Sequence, residues 1–180
     1  MESLRGCLLI AGGQLLDPNF RRSVVLMAEH GDEGALGLIL NRPSGVPVEE
    51  VASPLAGFVE PGTSIFLGGP VQRDAVLVLA DYADSAAPDR PILGSVAFAE
   101  PDPNPLLLAE IRRARVFSGY AGWGPGQLEA ELEESAWIIE PARTEDVFTL
   151  EPDRLWASVL RRKGGDYRLL SLMPYDVATN

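Results

Sequence analysis

Short runs of valine, isoleucine and leucine, each cut off by glycine or proline, constrain this chain more than any other feature. With 18 glycines and 15 prolines among 180 residues, few stretches are long enough for an amphipathic helix, and the pattern is that of strands between turns. Strands are predicted at 7–11, 23–29, 35–40, 64–67, 75–79, 93–98, 115–118 and 136–140. The second and third flank His30-Gly31-Asp32-Glu33-Gly34, a polar, glycine-bounded connector that predicts an antiparallel hairpin. Both are apolar almost throughout, so they belong in the middle of a sheet with both faces covered. There is no internal repeat and no long linker, and the length suits one domain over residues 1–180.

Four helices are expected: 47–55, 105–114 with Pro105 in its first turn, 127–134, and 153–163. The last has Asp153 as candidate cap, an apolar stripe of Trp156, Val159 and Leu160, and Arg161-Arg162-Lys163 before Gly164-Gly165. Strands cluster early and helices late, which favours an α+β fold over an alternating parallel one.

Charge and cysteine usage narrow the function classes. Fifteen basic against 26 acidic residues leave a net charge of −11, which argues against a nonspecific grip on nucleic acid phosphates and against docking on anionic membranes. Cys7 is the single cysteine, so an intramolecular disulfide and a cysteine-built metal site are excluded. Cys7 sits in an apolar run and reads as a small hydrophobe. The first residues lack the basic start and apolar stretch of a secretory signal, and apolar runs such as 75–80 are far shorter than the roughly 20 residues of a membrane helix. A cytoplasmic protein is expected.

Three stretches resemble a known family. One runs from Gly6-Cys7-Leu8-Leu9-Ile10-Ala11 through Leu16-Asp17-Pro18-Asn19-Phe20-Arg21-Arg22-Ser23 to Gly37-Leu38-Ile39-Leu40-Asn41-Arg42-Pro43. Another is Phe66-Leu67-Gly68-Gly69-Pro70-Val71, and the third Phe117-Ser118-Gly119-Tyr120-Ala121-Gly122-Trp123-Gly124-Pro125-Gly126-Gln127 with the helix after it. Together they are similar to the AlgH/YqgE family of small bacterial proteins. The resemblance implies one α+β domain with a bifurcated, largely antiparallel sheet, partly closed as a small β-barrel and flanked by helices. It implies no settled biochemistry, only the transcriptional-regulator label that some members carry. Gly12-Gly13 and Glu134-Ser135 depart from the family's usual proline and glycine at those turns.

Several constellations bear on chemistry. Ser23, His30 and Asp17 supply the residue types of a hydrolytic triad, but Ser23 lacks the glycine-flanked turn that exposes such a nucleophile; the preferred reading of Asp17-Pro18-Asn19 is an Asx turn that caps the following segment. His30, the single histidine, excludes two-histidine zinc sites and is either a hydrogen-bonded structural residue or the best general base available. Arg42 can fork onto a carboxylate or phosphate, or onto an acid of this chain. Gly68-Gly69-Pro70 reads as a tight turn, since no Lys-Ser/Thr follows it. In 119–127 four glycines and a proline surround Tyr120 and Trp123, which either plug one end of the sheet or line a pocket. Acids crowd 129–153 as a solvated face or a docking surface. The basic clusters at 112–115 and 161–163 are expected at helix ends.

The resulting reading is a non-enzymatic cytoplasmic binding or regulatory protein for an unidentified protein or small ligand. Arg21, Asn41, Arg42, Gly69, Tyr120, Trp123 and Gln127 are the candidate binding residues, with neither metal nor cofactor called for. The alternative is an enzyme acting on an anionic small molecule, with His30 as general base and Arg21 or Arg42 as anion clamp. Direct nucleic-acid binding is not expected, since no helix-turn-helix is evident.

Overall fold

The computed structural model describes residues 2–84 and 88–174. The apolar runs form strands β1 (Cys7–Ala11), β2 (Val24–Gly31), β3 (Gly34–Ile39), β4 (Pro43–Pro47), β5 (Ser64–Leu67), β6 (Val71–Tyr82), β7 (Val96–Ala99), β8 (Ile111–Trp123) and β9 (Trp137–Pro141). Between and after them lie helices α1 (Val48–Val51), α2 (Pro105–Leu108), α3 (Gln127–Glu133), α4 (Thr144–Val147), α5 (Pro152–Lys163) and α6 (Tyr167–Leu170), with a 3₁₀ turn over Ser53–Phe58.

All nine strands join one sheet in the order β4-β5-β8-β3-β2-β1-β9, and β6 and β7 branch from it. β8 makes the branch. Its 13 residues pair along one side with β6, while the other side pairs first with β5, in parallel, and then with β3. The sheet is therefore bifurcated, as the resemblance implies. It is not closed into a barrel: β4 and β9, at the two ends of the order, do not pair with each other. Closure needs one continuous ladder returning on itself, and here β8 divides its hydrogen bonds between two branches.

Period-two alternation sorts the core. Leu8, Ile10, Leu26 and Leu38 face α5, packing with Trp156, Val159 and Leu160. Leu9, Val25, Met27 and Ile39 face the other way, against Trp123, Leu128 and Trp137. β2 and β3 are thus covered on both faces, and their hairpin closes at the Gly31–Gly34 pair around Asp32-Glu33. A separate cluster, with Val48, Leu55, Val78 and Val116, fills the β6–β8 branch. Cys7 is half-buried and burial pushes its thiol pKa up, in keeping with a small hydrophobe.

The helices differ more from expectation. The 105–114 helix stops at Leu108 and the chain is a strand from Ile111, because pairing of Ile111–Ala114 with Ala80–Tyr82 overrides local helix preference. Arg112, Arg113 and Arg115 are consequently on a strand, not at a helix end. The 47–55 helix breaks after Val51, since Pro54 lacks the N–H that continuation requires. In α5 the capping position is Glu151, without a side-chain cap, and Asp153 lies in the first turn. The Arg161-Arg162-Lys163 end is as expected. The acidic run is not simply a solvated face: Asp146 is 6% exposed and receives Arg162 at 2.8 Å, and Glu140 lies 3.4 Å from Lys163.

Candidate functional site

The three recognisable stretches meet where the sheet divides. Gly68 donates its N–H to Ser118 O at 2.9 Å, and its carbonyl accepts from Ile39 N at 2.9 Å. These bonds hand β8's partner side from β5 to β3. A Cβ on Gly68 would stand 2.3 Å from Gly119 O, and one on Gly69 2.1 Å from the carbonyl carbon of Tyr120. The Gly68-Gly69 pair is required by backbone contact rather than by a ligand.

Beside this fork opens a cleft of about 170 Å³ lined by Asn19, Ile39, Arg42, Leu67, Gly69, Pro70 and Arg73. The Asp17–Arg22 segment forms its wall, turned by the Asx bond from Asn19 N to Asp17 Oδ1 at 2.8 Å. Arg42 clips that wall to the sheet by donating to the carbonyls of Asn19 and, at 3.0 Å, Arg21. Arg73 reaches Asn19 Oδ1 at 3.4 Å. Leu67, although on a strand, is 46% exposed and forms an apolar floor. Two guanidinium groups, an amide and an isobutyl group can hold an anionic or carbonyl-bearing group against an apolar body. The lining carries neither nucleophile nor general base.

The other candidate residues divide between fold and surface. Asn41 is consumed by the fold: Oδ1 accepts from Val24 N and Nδ2 donates to Arg22 O, each at 2.9 Å. Trp123, 6% exposed, plugs the core under α3, 5.9 Å from the Trp137 ring and nearly perpendicular to it. Its indole N–H donates to Glu131 Oε2 at 2.9 Å, and Trp137 donates to the same oxygen at 2.7 Å. Gln127 closes the loop, accepting from Gly124 N at 3.1 Å and donating to Glu131 Oε1 at 3.0 Å. Tyr120 remains half-buried, lining an open hollow with Glu29, Leu36 and Val71.

His30 is built into the fold. Nδ1 accepts from Leu4 N at 3.0 Å, which leaves Nε2 as donor to Glu129 Oε1, also at 3.0 Å. Both ring nitrogens are engaged and the side chain is 4% exposed. Asn41 binds Val24 at the start of β2 while His30 lies six residues on, about 20 Å at the usual strand rise. His30 and the Arg42 end of the cleft therefore do not share a site. Ser23 is fully buried, without a hydrogen-bond partner for Oγ among the described residues. No triad assembles from Ser23, His30 and Asp17. Among the described residues, no group of three or more His, Cys, Asp or Glu side chains is placed to hold a metal, and no helix is long and apolar enough to cross a membrane.

Sequence reasoning missed Leu67 and Arg73 as residues of the cleft, and missed Glu131 as the clip of both indoles. Arg73 has one available signal: the polar Gln72-Arg73-Asp74 at the head of an otherwise apolar strand marks an overhang.

Comparison with known proteins is consistent from end to end. A family model described as AlgH-like matches residues 8–168. A UPF0301 protein of Streptomyces coelicolor is 42% identical over 188 residues, covering 100% of this chain and 97% of that relative. One of Mycobacterium tuberculosis is 40% identical over 181 residues, covering 97% and 90%. A crystal structure of a Corynebacterium diphtheriae protein superposes with a TM-score of 0.86 at 28% identity, covering 96% of this chain and 94% of that one. The solution structure of the AlgH protein of Pseudomonas aeruginosa gives 0.67 at 31% identity, covering 97% and 96%.

Proposed function

The chain belongs to the AlgH-like family, and for this member we propose a binding role without catalysis, seated in the cleft where the sheet divides. The observation that carries this reading is the cleft's lining: Arg42, Arg73 and Asn19 around the exposed Leu67, with no group able to attack or to shuttle a proton. Such a surface favours a small ligand or a partner's chain segment that offers an anionic or carbonyl group on an apolar body. The regulatory label carried by some family members fits a protein acting through what this cleft holds. Direct DNA contact is disfavoured by the net charge of −11. The proposed setting is the cytoplasm. The His30-centred enzyme is not proposed, because its base and its anion clamp lie at opposite ends of β2.

The test is a backbone-amide NMR titration with small-molecule and macromolecular fractions of a bacterial extract. A fraction should shift Ile39, Leu67, Gly69 and Arg73 in the wild type, and not in Leu67→Glu/Arg73→Glu. Signals that stay in place across every fraction, or that move equally in the double variant, overturn the reading.

A further inference from the structure

The basic cluster on β8 is not accounted for by the cleft or by a helix end. Alternation along the strand sends Arg113 and Arg115 to one face. Arg113 is answered by Asp81, Nε to Oδ2 at 3.0 Å, and Asp81 in turn by the Ser95 hydroxyl at 2.6 Å. Arg112 is answered by Asp84 at 3.0 Å. Arg115 is different. It is 5% exposed, stacked 4.3 Å over the Phe66 ring, and donates one bond, Nη2 to Thr149 O at 2.8 Å. Its Nε is buried without a partner, and no carboxylate among the described residues pairs with it.

A guanidinium taken out of water is costly unless a counter-charge and its remaining hydrogen bonds replace the lost hydration. Burial, with Arg113 beside it, pulls the Arg115 pKa down to about 10, so at neutral pH the group stays charged and unanswered. Two hollows, of about 270 and 450 Å³, share Arg115, Glu60, Thr63 and Leu150 in their walls. Phe58, Phe148 and the exposed Leu150 supply the apolar part of walls that are otherwise polar, and Glu60, the acid in those walls, is exposed at the rim. This groove is distinct from the cleft. On β5 successive side chains part to opposite faces, Leu67 to the cleft and Phe66 to the groove.

We propose that this groove binds a small molecule through a carboxylate or phosphate group, with the Arg115 guanidinium as anchor and Phe58, Phe148 and Leu150 receiving its apolar part. A planar, forked donor in a half-apolar concavity suits that chemistry.

The experiment is an NMR titration of the full chain with inorganic phosphate in one arm and acetate in the other, at ionic strength held constant with sodium chloride. It reads the Arg115 Nε–Hε signal and the amides of Thr63, Arg113 and Leu150. A saturable shift in either arm supports the site, and the arm that saturates at lower concentration identifies the group. Arg115→Met should weaken binding by at least about tenfold, since it removes a charge-assisted pair. Leu150→Glu, an exposed change that leaves the fold intact, should weaken it about threefold or more by repulsion. If neither anion moves the Arg115 signal, the proposal is overturned. Wild-type affinity in a folded Arg115→Met overturns it too, and if that variant does not fold, wild-type affinity in Leu150→Glu does so.

Discussion

Replacing Glu131 by alanine tests whether the glycine-rich loop is a plug or a door. One carboxylate oxygen accepts both buried indole N–H groups, at 2.9 and 2.7 Å, and the other accepts from Gln127 at 3.0 Å. Trp123 and Trp137 are 6% and 5% exposed, so water cannot substitute without the loop opening. A buried donor left without an acceptor costs about 1–3 kcal/mol. Two of them, with little added by the exposed Gln127, put Glu131→Ala at roughly 2–6 kcal/mol below wild type. At a urea slope near 2 kcal/mol/M the midpoint falls by about 1–3 M. Glu131→Gln keeps one oxygen for the indoles, but its amide then meets the Gln127 amide. Gln127 must turn over, which withdraws its oxygen from Gly124 N, so a loss of about 1–2 kcal/mol is expected. Tryptophan emission during urea unfolding is the assay, because two of the three tryptophans lie in the clip. Glu133→Ala, exposed on the same helix, is the control and should stay within about 0.5 kcal/mol. If Glu131→Ala lies within about 1 kcal/mol of that control, the indoles are hydrated in the native protein and the plug assignment is wrong.

Asn41→Ala should cost about 1–3 kcal/mol and raise hydrogen exchange at the Val24 amide above that of other β2 amides; unchanged exchange there refutes the clip. Gly69→Ala should destabilise by about 3 kcal/mol or more, since its methyl would stand 2.1 Å from backbone, whereas Gly57→Ala, with nothing within 4 Å of its Cβ, should be nearly neutral in thermal unfolding. The Glu129 pKa lies below the ordinary carboxylate value, held there by a backbone hydrogen bond and by His30. Its contribution to stability is complete above the unfolded-state pKa and is lost as pH falls through the lowered folded-state value. The Tm gap between wild type and Glu129→Gln should therefore be widest near neutrality and close on acidification below about pH 4.5. A gap that persists to acid pH would contradict the pairing.

What was readable in the chain was what neighbouring residues decide. The β2–β3 hairpin follows from its two apolar runs and the glycines between them, and the Asp17–Asn19 turn from a carboxylate and a backbone amide two residues apart. The C-terminal end of α5 follows from Arg161-Arg162-Lys163 and Gly164, while its start lies one residue before the expected Asp153. The helix expected over 105–114 failed for the opposite reason. Its apolar spacing is helical, but the bonds that fix Ile111–Ala114 come from Ala80–Tyr82, some 30 residues earlier. The branch came from resemblance rather than from any local pattern. The open edges of the sheet were not legible, because closure depends on where β4 and β9 lie relative to each other, and no residue in either strand encodes that.

The same distinction explains why most of the reactive-looking residues are engaged within the fold. A histidine, a serine, an asparagine after a strand and a tryptophan among glycines stand out in a sequence because of their chemistry and their setting. Here His30, Asn41 and Trp123 are each held by at least one internal hydrogen bond of 3.0 Å or less, while the Ser23 hydroxyl is buried. A fold that divides one strand between two branches leaves backbone groups and irregular loops at the junction, and short polar side chains are the means of satisfying them. Ordering Tyr120 and Trp123 at the glycine-rich end of β8 costs conformational entropy, which the Glu131 clip and the Phe20–Trp123–Trp137 packing offset. These versatile residues are thus spent on holding the fold together. The proposed binding surfaces rest instead on ordinary residues left over by topology: Leu67 exposed on a strand, Arg73 on an overhang, and Arg115 buried with its charge unanswered. Arg73 is marked locally by the polar Gln72-Arg73-Asp74; Leu67 and Arg115 have no such signature, because exposure at 67 and isolation at 115 are properties of what the distant chain fails to supply.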